Sequence, residues 1–183
     1  MLFRKSLKEE VFYISSFSKT KHYNQSNYMR SVIFMVGLPG SGKSTISKEI
    51  AKKTNGKIVS RDIIRAELGY TSGVDEKAVC TPEQENNVTE NEIQTIIDTL
   101  SNNQTVIIDD TNLKKKFRGN MIREINSKFP GIKIKAILIE TDPEVCIQRR
   151  KGQIPAVIIR KMADSYERPT LSEGFSSIED HTV

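Results

Sequence analysis

Three short stretches of this chain carry residue types at spacings that suit phosphoryl chemistry. The first, 37-GLPGSGKST-45, fits the pattern G-x-x-x-x-G-K-[ST] at Gly37, Gly42, Lys43 and Ser44. Glycines in such a loop let backbone N–H groups turn inward around a phosphate. The lysine then reaches the β and γ oxygens, and the hydroxyl ligates Mg²⁺. Pro39, Gly40, Ser41 and Thr45 complete the cradle, and the expected ligand is an NTP with Mg²⁺. The second stretch, 106-VIIDD-110, is an apolar run ending in two carboxylates. Asp109 reads as a Mg²⁺ group acting through the ion's water shell, although either carboxylate could instead cap the following helix. The third is 60-SRDIIR-65, where Asp62 could take the proton of an attacking hydroxyl and Arg65, three residues on, could hold an anionic group of the acceptor. The competing reading makes Asp62 a helix cap and Arg65 a surface charge.

These residues need a scaffold, and the hydrophobic pattern supplies one. Residues 32–36 read as a buried strand leading into the phosphate loop, and a helix begins at Lys43 with Ile46 and Ile50 on one face. A short strand at 57–60 precedes a helix starting near Asp62, and 69–82 reads as a loop or lid base. Ile93, Ile96, Ile97 and Leu100 recur at helical spacing, followed by a strand at 105–109. Phe117, Met121, Ile122, Ile125 and Phe129 mark one face of the next helix, which 130-PG-131 stops. A strand at 132–140 leads to 142-DP-143, an N-cap with proline at the first helical position. Two helices at 143–150 and 155–167 are broken around Lys151–Pro155. Strands alternating with helices predict an α/β fold with a parallel sheet covered on both faces.

The 183 residues fit one domain. No apolar run is long enough to cross a bilayer, and the first thirty residues lack the apolar centre of a secretory signal. Cys80 and Cys146 show no metal spacing, so the expected setting is intracellular and cytoplasmic. The net charge of +5 is uneven. Residues 1–30 hold Arg4, Lys5, Lys8, Lys19, Lys21 and Arg30 against Glu9 and Glu10, leaving 22 of the 28 basic and 21 of the 23 acidic residues for 31–183. The domain is therefore expected at 31–183, behind a basic extension that is either a nucleic-acid contact or a solvated tail. Beyond Tyr13, Tyr23 and Tyr28 in that extension, no strip of interleaved aromatic and basic residues is read. A guanine-specifying N-K-x-D and a D-x-x-G switch are both missing, which argues against a GTPase.

Taken in order and spacing, 37-GLPGSGKST-45, 60-SRDIIR-65, 108-IDDTNL-113 and 155-PAVIIRKMADSYERPTLSEGF-175 resemble the 5′-hydroxyl polynucleotide kinases, over about residues 31–178. The resemblance implies an adenylate-kinase-like P-loop NTPase fold, a three-layer α/β sandwich with a four- or five-stranded parallel sheet and a small helical lid. It also implies transfer of the γ-phosphoryl group of ATP to the 5′-hydroxyl end of DNA or RNA. By that likeness Lys43 and Ser44 act on the phosphates and Mg²⁺, Asp62 is the general base, and Arg65 contacts the phosphate beside the acceptor nucleoside. Asp110, Thr111 and Asn112 lie at the acceptor, and a lid arginine, Arg149 or Arg150, stabilises the transferring group. The chain passes from Arg149 to Ile154-Pro155 in five steps, a shorter lid than the family's usual one. No D-x-D-G-T phosphatase motif and no ligase-type lysine motif is present, so a ligase or phosphatase would be a separate partner. Two further readings remain: a small-molecule kinase on the same scaffold, and an NTP-binding module without catalysis.

Overall fold

Strand β1 (Ser31–Val36) alternates Val32, Phe34 and Val36 with Ile33 and Met35, and all five are buried. A strand apolar on both sides belongs in the middle of a covered parallel sheet. That is its place in this computed structural model, which describes residues 30–70 and 80–182. Five parallel strands run in the order β2-β3-β1-β4-β5, with β2 at Lys57–Val59, β3 at Val106–Ile108, β4 at Lys133–Glu140 and β5 at Ser177–Thr182.

The helices cover the sheet in two layers. On one face, Ile46 and Ile50 of α1 (Lys43–Thr54) pack on Ile33, Met35, Ile107 and Ile139. On the other, Val88, Ile96 and Leu100 of α3 (Pro82–Ser101) join Ile122 and Ile125 of α4 (Lys115–Lys128) over Val32, Phe34, Ile134 and Leu138. Helix α2 (Arg61–Glu67) adds Ile64 to that layer. A third cluster joins Cys146 of α5 (Pro143–Arg149) and Ile159 of α6 (Ala156–Asp164) to Leu38 and Leu113. It ties the last two helices to the loops that leave β1 and β3.

The expected three-layer α/β fold is present, with local differences. The strands expected at 57–60, 105–109 and 132–140 are trimmed by one residue or two, while α2 starts at Arg61, next to the expected Asp62. Strand β5 has no counterpart in the sequence pattern. Its residues, SIEDHT, include one apolar side chain, which suits an edge strand but gives no alternation. Phe117, assigned to the apolar face of α4, is instead 67% exposed. Arg30, counted with the extension, lies against the domain: Nη1 donates to the Leu100 carbonyl at 3.2 Å and the guanidinium sits 5.0 Å from the Phe129 ring centroid. The rest of the extension and most of the expected loop at 69–82 lie outside the described residues. Among the described residues no helix is long and apolar enough to cross a membrane.

Candidate active site

The phosphate loop joins β1 to α1 and is shaped by packing as much as by sequence. A Cβ on Gly37 would lie 2.6 Å from the Ile139 carbonyl oxygen, so only glycine fits beside β4. Gly40 has φ 85°, and a Cβ there would meet the Cys146 carbonyl at 2.9 Å. Gly42, at φ 110°, caps α1 without a side chain, leaving the first N–H groups of the helix open toward an anion. Ser44 and Thr45 are exposed on that first turn.

Lys43 is buried, and its ammonium donates to the Leu38 carbonyl at 2.8 Å. Burial lowers its pKa to about 8, with the carboxylate of Asp109 pulling the other way. The lysine is therefore held inside the loop beside an acidic group before any phosphate arrives.

Asp109 and Asp110 follow β3 directly, as the run of apolar residues required. Asp109 Oδ1 and Asp110 Oδ2 are buried without a hydrogen-bond partner, and so is Ser41 Oγ. Buried polar atoms are almost always satisfied, so three such atoms around one loop fit a site completed by a ligand. An unpartnered Asp109 oxygen near Lys43, with the Ser44 hydroxyl exposed on the first turn of α1, suits a Mg²⁺ ion that keeps much of its water and rides on a polyphosphate. Among the described residues no group of three or more His, Cys, Asp or Glu forms a self-sufficient metal cage. Burial and the like charge of Glu92 push the Asp110 carboxyl well above the usual carboxylate range.

Thr111 and Asn112 tie the loop after β3 to the phosphate loop. The Gly37 N–H donates to the Thr111 carbonyl at 3.1 Å, and Asn112 Nδ2 donates to the Met35 carbonyl at 2.8 Å. Asn112 has φ 50°, a conformation asparagine tolerates better than most residues. Its amide nitrogen is thereby engaged with backbone, where an acceptor contact was expected.

The acceptor candidates lie on α2. Asp110 Oδ1 accepts from the Arg61 N–H at 3.0 Å, which joins the start of α2 to the end of β3. Asp62 has a side chain 78% exposed, and Arg65 Nη1 donates to its Oδ1 at 2.8 Å. Arg65 also grips Glu85 through Nε and Nη2, at 2.9 and 3.0 Å. Arg61 Nη2 shares Glu85 Oε2 with Arg65, and Arg61 Nη1 donates to Thr89 and the buried Glu92. The Arg65 guanidinium, with that of Arg61, holds the Glu85 carboxyl down at about 2. Sequence reasoning missed this α2–α3 clamp because its partners stand 20 to 31 residues apart. A capping box at Thr81 and Gln84 sets the start of α3 and thereby the position of Glu85.

The short lid reaches the phosphate loop from α5. Arg149 Nη1 donates to the Gly40 carbonyl at 3.2 Å and more weakly to that of Ser41 at 3.5 Å. Arg150 donates to Gln153 at 2.9 Å, and its Cγ lies 3.0 Å from where a Gly40 Cβ would stand. Both arginines thus border the loop. Another missed feature is the pair Arg118–Glu173, 0% and 1% exposed, in which Arg118 Nη1 also holds the Asn112 carbonyl at 2.8 Å.

The bifunctional polynucleotide phosphatase/kinase of Schizosaccharomyces pombe is 24% identical over 91% of this chain and 36% of its own length. The L-seryl-tRNA(Sec) kinase of Methanococcus maripaludis is 28% identical over 75% of this chain and 53% of its own length. The chain thus spans about a third to a half of these curated relatives. The crystal structure of a gluconokinase from Sinorhizobium meliloti shares the fold at TM-score 0.55 and 18% identity, covering 85% of this chain and 83% of that one. A family model described as an AAA domain matches residues 32–169, around the phosphate loop, the paired aspartates and the lid, and the chain belongs to that family.

Proposed function

We propose that this domain is an ATP-dependent kinase that phosphorylates the 5′-hydroxyl end of a polynucleotide. The observation that carries the reading is the 3.0 Å hydrogen bond from the Arg61 N–H to Asp110, which sets α2, with Asp62 and Arg65, beside the acidic edge of the phosphate loop. A hydroxyl presented at Asp62 would lose its proton to a carboxylate open to solvent on one side. Lys43 and the loop N–H groups would hold the β and γ phosphates, with Arg149 or Arg150 closing over them. Ser44 and Asp109 would hold Mg²⁺, which when bound neutralises charge developing on the phosphate oxygens. Arg65, braced by Glu85, keeps donors on Nη1 and Nη2 for a phosphate beside the acceptor.

Two of the curated relatives support a substrate that carries nucleic acid, since their names specify a polynucleotide and a seryl-tRNA. The gluconokinase likeness supports a second reading, a small-molecule kinase, because fold alone does not select the acceptor.

The test is transfer of label from γ-labelled ATP, with Mg²⁺, to 5′-hydroxyl DNA and RNA oligonucleotides. Label should appear at the 5′ end. Asp62→Asn should lower kcat about 10²- to 10⁴-fold with nucleotide affinity retained. A protein that labels gluconate or another small alcohol but no oligonucleotide would move the assignment to the second reading.

A further inference from the structure

Helix α4 begins shortly after the acidic edge of the site; Arg118 and Met121 tie its first half to the core, and the charged side chains on its other face have no such use. Between Asp110 and Glu124 the chain holds Lys114, Lys115, Lys116, Arg118 and Arg123 and no acidic residue. Arg118 is spent in the core, whereas Lys115, Lys116 and Arg123 are exposed and form no ion pair with a described residue. Lys115, Lys116, Gly119, Asn120, Arg123 and Glu173 line an open cavity of about 500 Å³. Its one acidic wall is already neutralised, because both Glu173 oxygens accept from Arg118 at 2.8 and 2.9 Å. Nothing stands within 4 Å of where a Gly119 Cβ would be, so the floor admits close approach. Beside this basic patch the Phe117 ring is 67% exposed.

We propose that this face of α4 docks the single strand leading away from the reacting 5′ end, its backbone phosphates on Lys115, Lys116 and Arg123 and a base on Phe117. Cations that track phosphates, next to an aromatic ring open for stacking, are the two elements of a sequence-tolerant single-strand surface. A small-molecule acceptor would need neither. Lys115 lies five positions after Asp110, so the patch starts no more than ~18 Å along the chain from the acidic edge. The inference deepens the polynucleotide reading and rests on it for the identity of the strand.

The experiment measures anisotropy of a labelled 20-mer single strand over a salt series, separately from phosphoryl transfer. Lys115→Ala/Lys116→Ala/Arg123→Ala should reduce the slope of log K against log salt by about two. Phe117→Ala should weaken binding about tenfold and leave the slope unchanged. Gly119→Glu, which the open floor accommodates, should abolish strand binding, with the melting temperature reporting that the fold persists. If the wild type phosphorylates oligonucleotides but all these variants bind strand like the parent, the surface assignment is wrong and the kinase reading stands. If no oligonucleotide is phosphorylated yet binding is lost in these ways, the kinase reading fails and the surface stands. Equal affinity for polyglutamate, or no strand binding by the wild type, would overturn the surface assignment.

Discussion

At the residue scale, the site is built from charges arranged to hold one another until substrates arrive. Lys43 leans on the Leu38 carbonyl beside Asp109, and Arg65 is shared between Asp62 and Glu85. Glu85 is the hinge of the second arrangement. Its carboxyl is depressed in the folded state from the usual 4.5 to about 2. A depressed carboxylate contributes stability fully above its unfolded pKa and loses it as pH falls through the folded one. Stability should therefore drop from about pH 4.5 toward pH 2 in part through Glu85, and Glu85→Gln should flatten that portion of the curve. Urea unfolding midpoints across the acid range check this, and an unchanged pH profile would show that the clamp is not formed in solution. Motif chemistry alone marked Lys43 and Ser44 as candidates, and left Asp62 open between a base and a helix cap. It did not mark Glu85, since nothing in its local sequence differs from a solvated glutamate at a helix start.

At the scale of elements, α4 is anchored by the buried pair of Arg118 and Glu173, which also secures the Asn112 carbonyl. Removing one member leaves a buried charge unpaired, so Arg118→Met or Glu173→Leu should each cost about 3–5 kcal/mol. The double variant should recover much of that loss, because an apolar pair of similar size is often tolerated. It should still turn over slowly. Without the Arg118 guanidinium the Asn112 carbonyl loses its donor, and the loop after β3 loses its support. Denaturant unfolding reads the first effect and kcat against KM the second. A double variant with parental kcat would make the pair purely structural. Sequence pattern found α4 but turned it wrongly at one position: Phe117 fits the apolar spacing, yet the helix meets the sheet through Ile122 and Ile125, one or two turns later. The same displacement leaves the basic, aromatic start of the helix facing solvent.

For the whole molecule, ligand and fold share one set of atoms. Buried Asp109 and Ser41 oxygens have no hydrogen-bond partner in the folded chain. Binding to the folded state alone stabilises it by mass action. Mg²⁺ with a nonhydrolysable ATP analogue at about a hundred times its Kd should add about 2.7 kcal/mol. At about 2–4 °C per kcal/mol for a chain of this size, the melting temperature should rise by about 5–11 °C. Lys43→Ala should abolish the rise, as read by a thermal scan; an equal rise in that variant would place the nucleotide elsewhere.

Local sequence was enough to specify the parallel α/β sheet, the phosphate loop and the paired aspartates, because strand and helix periodicity and turn chemistry act over a few residues. Which charges meet was left to the folded molecule. It set Glu85 between Arg61 and Arg65, buried Arg118 against Glu173, added the polar edge strand β5, and turned Phe117 outward with its lysines. Those pairings join residues 20 to 55 positions apart, and their partners are selected by the packing of whole elements.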